Sequence, residues 1–437
     1  MIVLAWWPFL EHLLHSLVGF VDTGLAGRLS VAATNAIAVS AYVGWLMGML
    51  HMGVGIGTGA LVARAVGGRH RGLANAALGQ ATVLALGWGA AVGAFVFLVA
   101  PPICRTFGLD GEALPMAVLY IRLITLAAPF SAMMFVGNAA LRAAGDTRTP
   151  FLIMVAVNVV NTGLSILLVF GPAPWGGYGI LGIAAGTMIS WTIGGGIVLL
   201  VLLGGWGPLR LFVHRLRPHW HTIRRIVRVG IPNVGESLGM WVGNVLVAMI
   251  VGQFLVNKAA LGAHIIAIRV ESLSFLPGVA LGTAAATLAG QYLGADDKLM
   301  ARRAVARCWL YAAAGMTLMG VIFVIIPEPL ARLLAPDEPA LYKLAREPIQ
   351  LAGLIQIFFA TYIVLAHALR GAGDTRASLV ITALTTFGVR LPAAWLLGVT
   401  LDMGLTGIWM ALCGELVVRG VLFAIRFLRG RWVEVEV

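Results

Sequence analysis

Residues 149–209 read TPFLIMVAVNVVNTGLSILLVFGPAPWGGYGILGIAAGTMISWTIGGGIVLLVLLGGWGPL, 61 positions without an Asp, Glu, Lys or Arg. A helix rising ~1.5 Å per residue crosses a ~30 Å hydrocarbon core in about 20 residues, so the run holds two membrane crossings separated by its Gly/Pro-rich middle. Further charge-free stretches occupy 29–63, 72–104, 237–257, 272–295, 308–327 and 348–369. They are apolar on all sides, whereas a transmembrane strand needs only ~10 residues of in/out alternation, which favours helices over a barrel. Over its 437 residues the chain is 60% hydrophobic and 11% charged, with a mean hydropathy of +0.95. Soluble domains carry about 25% charged residues, so a soluble globular protein is excluded. The fold class is an all-α polytopic membrane protein.

Charge and Gly/Pro breaks place spans at 2–26, 36–63, 74–100, 115–140, 150–171, 178–204, 226–252, 258–292, 304–327, 346–368, 377–397 and 403–425, twelve in all. With the N-terminus inside, inward connections and tail hold 20 of the 30 basic residues. Outward loops hold only Arg28, Arg105, Lys258, Arg332, Lys343 and Arg346, while Arg122, Arg269, Arg390 and Arg419 fall within spans. This asymmetry puts both termini in the cytoplasm of a cell whose inner (plasma) membrane the chain spans repeatedly. The net charge of +12 is scattered over short loops with few stacking aromatics, so it reads as topogenic charge and no nucleic-acid partner is expected. The chain opens MIVLAWWP without a basic region, so no cleaved signal is expected and the first span is retained. Cys104, Cys308 and Cys413 fit neither a metal site nor a disulfide framework.

LRAAGDTR beginning at Leu141 recurs as LRGAGDTR beginning at Leu369, an offset of 228. A second pair, Gly55 to Gly67 and Gly282 to Gly294, has an offset of 227. The chain therefore reads as a duplicated six-helix unit: an N-terminal lobe at 1–204, a cytoplasmic linker at 205–225, a C-terminal lobe at 226–427 and a tail at 428–437. An even number of spans per copy makes the repeats parallel, the arrangement in which transporters place substrate in a central cleft between lobes.

The doubled L-R-x-A-G-D-T-R element, VDTGLAGRLS at Val21–Ser30 and RVESLSFLPGVALGTAAATLAGQYLGA at Arg269–Ala295 resemble the multidrug and toxic compound extrusion (MATE) family, in particular its DinF-like branch. The resemblance covers essentially the whole chain. The first span begins so near Met1 that a few residues of the family's usual N-terminus are expected to be missing. What the resemblance implies is a secondary active efflux transporter, not an enzyme. It would exchange protons, or less readily sodium ions, for organic cations or amphipathic compounds by alternating access. No cofactor beyond the coupling ion and no resident metal are expected, and the partners are small molecules and the bilayer around a monomer.

Acids inside spans cost about 2.5–3.5 kcal/mol at a helix centre, so each needs a reason. Glu11, Asp22, Glu236, Glu271 and Glu415 qualify. Glu11, His15 and Asp22 share one helical face, the geometry of a relay. Asp22 matches the family's first-helix aspartate, which the resemblance implies binds the coupling ion. Counted from Pro8 it lies about 21 Å along the helix, a depth that also suits an interfacial carboxylate. The family's fifth-span pattern, Asn followed four residues later by Asp, is met only by Asn161, because Ser165 holds the aspartate position. That departure weakens a two-carboxylate sodium site and favours protons acting at Asp22. Glu236 and Glu271 match acids of the C-terminal lobe in DinF-like members, and Arg269 is a candidate ion-pair partner for Glu236. Glu415 and Arg419, one turn apart, read as a structural pair.

Met52, Met133, Met240 and Trp45 are candidate lining for a pliable drug cleft, since Met adapts its shape and Trp attracts cations. His51, His264 and His367 read as hydrogen-bonding residues of the spans. Gly235-Glu236-Ser237-Leu238-Gly239 formally matches a nucleophile elbow, but it sits in an apolar helix and lacks the strand-to-helix turn. The alternative to efflux is a flippase for lipid-linked or anionic cargo on a related fold. Arg122, Arg269 and Arg390 motivate it, and it requires them to line the cleft.

Overall fold

The computed structural model describes residues 2–172, 174–255, 257, 259–336 and 338–435. Lys258, counted above among the outward charges, lies outside them. Sixteen α-helices follow in order: α1 (Ile2–Gly27), α2 (Val31–Gly67), α3 (Arg71–Thr106), α4 (Ala113–Leu126), α5 (Ala128–Ala143), α6 (Arg148–Phe170), α7 (Gly179–Gly204), α8 (Trp220–Phe254), α9 (Ala260–Gly294), α10 (Lys298–Ile325), α11 (Pro327–Leu334), α12 (Pro339–Leu354), α13 (Gln356–Gly371), α14 (Thr375–Thr385), α15 (Leu391–Trp395) and α16 (Gly404–Leu428). Among the described residues nine helical spans are long and apolar enough to cross a membrane, and two further helix pairs qualify as broken spans. The chain is thus a multi-pass membrane protein. The span over Thr375–Thr400 includes two π-helical turns, Thr386–Arg390 and Leu396–Thr400, around α15.

The broken pairs correct two spans that the sequence reads as continuous. Helices α4 and α5 meet at Ala127 with a bend of 55°, and α12 and α13 meet at Ile355 with a bend of 60°. The first break is followed by Pro129, which has no N–H to donate back along the helix. The second has no proline beside it. The two junctions lie 228 positions apart, the offset of the LRxAGDTR repeat.

Two compact units divide the chain: Trp6–Ile231, and Pro232–Val437 with Met1–Ala5. The core of the first gathers apolar side chains from α1 to α4 and α7, among them Ile37, Met47, Ile121 and Ile183, each at most 2% exposed. In the second, Phe323, Ile349, Ile408 and Trp409 are equally buried. The glycines of 53–59 serve close packing: Gly55 lies against Ala139 and Gly57 against the carbonyl of Ile226. Helix α8 begins at Trp220, so Arg224 and Arg225 are helical and the connection is only 205–219, with one 3-10 turn at Val213–Leu216.

Candidate functional site

In the first unit four helices converge on one carboxylate. Asp22 of α1 is 3% exposed, too buried for the solvated interfacial acid that its depth along the helix would also have suited. The Tyr120 hydroxyl of α4 donates to Asp22 Oδ2 at 2.6 Å and the Thr187 hydroxyl of α7 donates to the same oxygen at 2.8 Å. Thr187 in turn accepts from Asn161 Nδ2 of α6 at 2.9 Å. Both hydroxyls are therefore spent on one oxygen of the carboxylate, with Asn161 behind Thr187. Among the described residues Asp22 Oδ1 is buried without a hydrogen-bond partner, and so are Asn161 Oδ1 and Ser165 Oγ. A buried oxygen that accepts nothing carries the full penalty of its desolvation, so a proton or small cation at Asp22 Oδ1 would relieve that penalty.

Tyr120 and Thr187 are absent from the candidates read in the sequence, because a search for buried charge passes over hydroxyls. The available signal is a hydroxyl at 120 and another at 187 within spans that are mainly apolar. The expected relay is not joined: Glu11 is bound by Arg142 Nη1 at 2.6 Å, His15 packs on the ring of Phe135 at 5.7 Å, and no hydrogen bond links either to Asp22 among the described residues.

The second unit treats its acids differently. Glu236, 2% exposed, accepts from Arg370 Nη2 at 2.8 Å and Nε at 3.3 Å, and from Ser378 and Thr382 hydroxyls at 2.9 Å each. Its partner is thus Arg370 rather than Arg269, which is exposed. Glu415 is held by Arg390 at 2.8 Å and Arg419 at 2.6 Å, with Arg390 also donating to Asn244 Oδ1 at 2.8 Å. Glu271 lies within electrostatic reach of Arg390, but its carboxylate makes no hydrogen bond or ion pair among the described residues. Carrying the Glu11-to-Glu236 offset of 225 along α8 puts Val247, 2% exposed, where α1 has Asp22. The Asp22 cluster belongs to one copy of the repeat.

The remaining candidates separate by exposure. Trp45 (49%) and Met52 (42%) are exposed two turns apart on α2. Met133 is 0% exposed and cannot line a cleft, because α5 packs it into the interior of the first unit beside Gly137. Met240 is occupied by polar neighbours, its sulfur accepting from the Tyr362 hydroxyl at 3.2 Å. His264 Nδ1 accepts from Trp409 Nε1 at 3.1 Å, His367 Nδ1 lies 2.8 Å from the Ile363 carbonyl, and His51 Nδ1 lies 3.4 Å from the Ser131 hydroxyl. Gly235–Gly239 is a turn of α8, without the sharp bend that a nucleophile elbow requires.

A duplicated, multi-pass helical membrane protein with a buried, half-bonded carboxylate on its first helix has the build of a membrane transporter. The chain belongs to the MatE family, the multidrug and toxic compound extrusion transporters, whose model matches it twice, over residues 9–167 and 232–396. It is similar to a probable multidrug resistance protein NorM of Thermotoga maritima, 29% identical over 97% of this chain and 90% of that one. It is also similar to the multidrug resistance protein PmpM of Pseudomonas aeruginosa, 27% identical over 94% of this chain and 87% of that one. A crystal structure of a MATE protein in the bent conformation shares the fold, with a TM-score of 0.90 at 20% identity over 98% of this chain and 94% of that one.

Proposed function

We propose that the protein is a multidrug efflux transporter of the DinF-like branch, with twelve spans in two six-helix lobes and both termini cytoplasmic in the inner membrane, exchanging protons for organic cations or amphipathic compounds. The observation that carries the reading is the bare Asp22 Oδ1 opposite a fully bonded Oδ2. A proton on Oδ1 turns an orphaned acceptor into a donor, which removes the penalty of burying a bare carboxylate oxygen. Release restores the ionised form to which Tyr120 and Thr187 already donate. Glu236 offers no comparable opening, since four donors saturate it, and a structural role suits it better. The multidrug names of the Thermotoga and Pseudomonas relatives support the cargo class. Exchange of one proton for one monovalent cation is electroneutral, so one pH unit supports about a tenfold substrate gradient.

Sodium coupling is the second reading, favoured by the same three bare oxygens, which would serve as cation ligands. A flippase is not adopted: of the three arginines that motivate it, Arg390 is spent on Glu415 and Asn244 and Arg122 packs 4.9 Å from the Phe97 ring, which leaves the exposed Arg269 alone. Ethidium efflux from proteoliposomes under an imposed pH gradient, then an imposed sodium gradient, tests the assignment in wild type and Asp22→Asn. The expected result is pH-driven efflux that Asp22→Asn abolishes. Sodium-driven efflux would replace the proton with sodium, and no efflux from folded protein under either gradient would overturn the export reading.

A further inference from the structure

The connection between α7 and α8 is pinned rather than loose. Gln80 of α3, 4% exposed, donates from Nε2 to the carbonyls of Arg215 and Arg217, both at 2.8 Å, and accepts from the His219 N–H at 2.7 Å. Asn75 Oδ1 accepts from the Arg210 N–H at 3.0 Å, and Leu209 and Leu211 are buried beneath the strand of chain. A Cβ on Gly79 would meet the Arg215 carbonyl at 2.6 Å, so the close approach depends on glycine there. Backbone and leucines face the protein. What is left outside is cationic and aromatic.

No Asp or Glu occurs in the sequence between Asp146 and Glu236. Asp146, which lies beside Gly207, already accepts the N–H and hydroxyl of Thr149. Arg210, Arg217, Arg224 and Arg228 are exposed and form no ion pair among the described residues. Phe212 lies under the guanidinium of Arg210 at 5.4 Å, which keeps that charge beside the strap. Trp206 is 82% exposed, Val213 71% and Trp220 74%. Exposed tryptophans interleaved with unpaired arginines are the composition of a surface at the headgroup level of a bilayer, where the indoles sit at the interface and the guanidiniums meet phosphates. We propose that this strap is a binding site for the phosphate headgroup of anionic phospholipid in the leaflet it borders.

The inference rests on the proposed topology only for which leaflet is meant. Native mass spectrometry of the purified full chain, offered equimolar phosphatidylglycerol and phosphatidylethanolamine, reads lipid preference without reference to sidedness. Wild type is expected to retain phosphatidylglycerol preferentially, and Arg210→Gln/Arg217→Gln/Arg224→Gln to lower that preference by about a hundredfold, at roughly fivefold per charge. The corresponding triple Lys variant keeps the charge and is expected to keep most of the preference. An unchanged ratio in the Gln variant, or a Lys variant as impaired as it, overturns the proposal. A separate arm labels Val213→Cys in intact cells with an impermeant maleimide, since the three native cysteines are buried. Labelling from outside would overturn the topology while leaving the lipid result standing.

Discussion

Arg142 and Arg370 occupy the same place in the two LRxAGDTR elements and each reaches a buried carboxylate on the first long helix of its half, Glu11 at 2.6 Å and Glu236 at 2.8 Å. The duplicated motif is thereby a duplicated ion pair. Breaking a buried pair from one side strands a charge, at a cost of about 3–5 kcal/mol. Arg370→Gln should therefore lower the thermal midpoint in detergent more than Glu236→Gln/Arg370→Gln does. Equal losses would mean that the pair itself contributes nothing.

Tyr120→Phe removes the shorter of the two donors to Asp22 without changing shape or charge. A buried hydrogen bond to a charged acceptor is worth roughly 1.5–3 kcal/mol, so pH-driven efflux should fall about ten- to a hundredfold. Thr187→Val should fall further, since it also strands Asn161 Nδ2. Transport at the wild-type rate in both variants would detach the hydroxyls from coupling.

Met133→Ala separates core from cleft. Removing a fully buried Met costs about 2–5 kcal/mol, so a thermal shift assay should register a large loss, while the order of substrate preference stays as in wild type. Trp45→Ala, at an exposed position on α2, should do the reverse.

Gly79→Val should unseat the strap, because the added side chain has no room against Arg215. Tryptic cleavage after Arg210 and Arg215 in detergent-solubilised protein is expected to quicken severalfold over wild type. Unchanged cleavage would mean that Gln80 and Asn75 hold the segment unaided.

Charge-free runs made the spans readable, because a bilayer penalises every buried charge and leaves the length of each crossing visible as a gap. The bend at Ile355 was not readable, since no proline stands beside it to mark the 60° turn. At the Asp22 cluster the acid and Asn161 stood out as costly residues in an apolar setting. Tyr120 and Thr187 did not, since hydroxyls are cheap in helices, where a threonine can bond to its own backbone. Arg370 was legible as part of a repeat but not as the partner of Glu236, because only the fold brings α13 to α8.

The bends at Ala127 and Ile355 also speak to ancestry. Each copy breaks its fourth span at the corresponding residue, yet only one copy has a proline there, with Ile357 standing where the other has Pro129. A kink common to both halves is most simply inherited from the single gene that was doubled, and Pro129 is then a fixative acquired by, or lost from, one descendant. On that history Pro129→Ala should leave the kink in place.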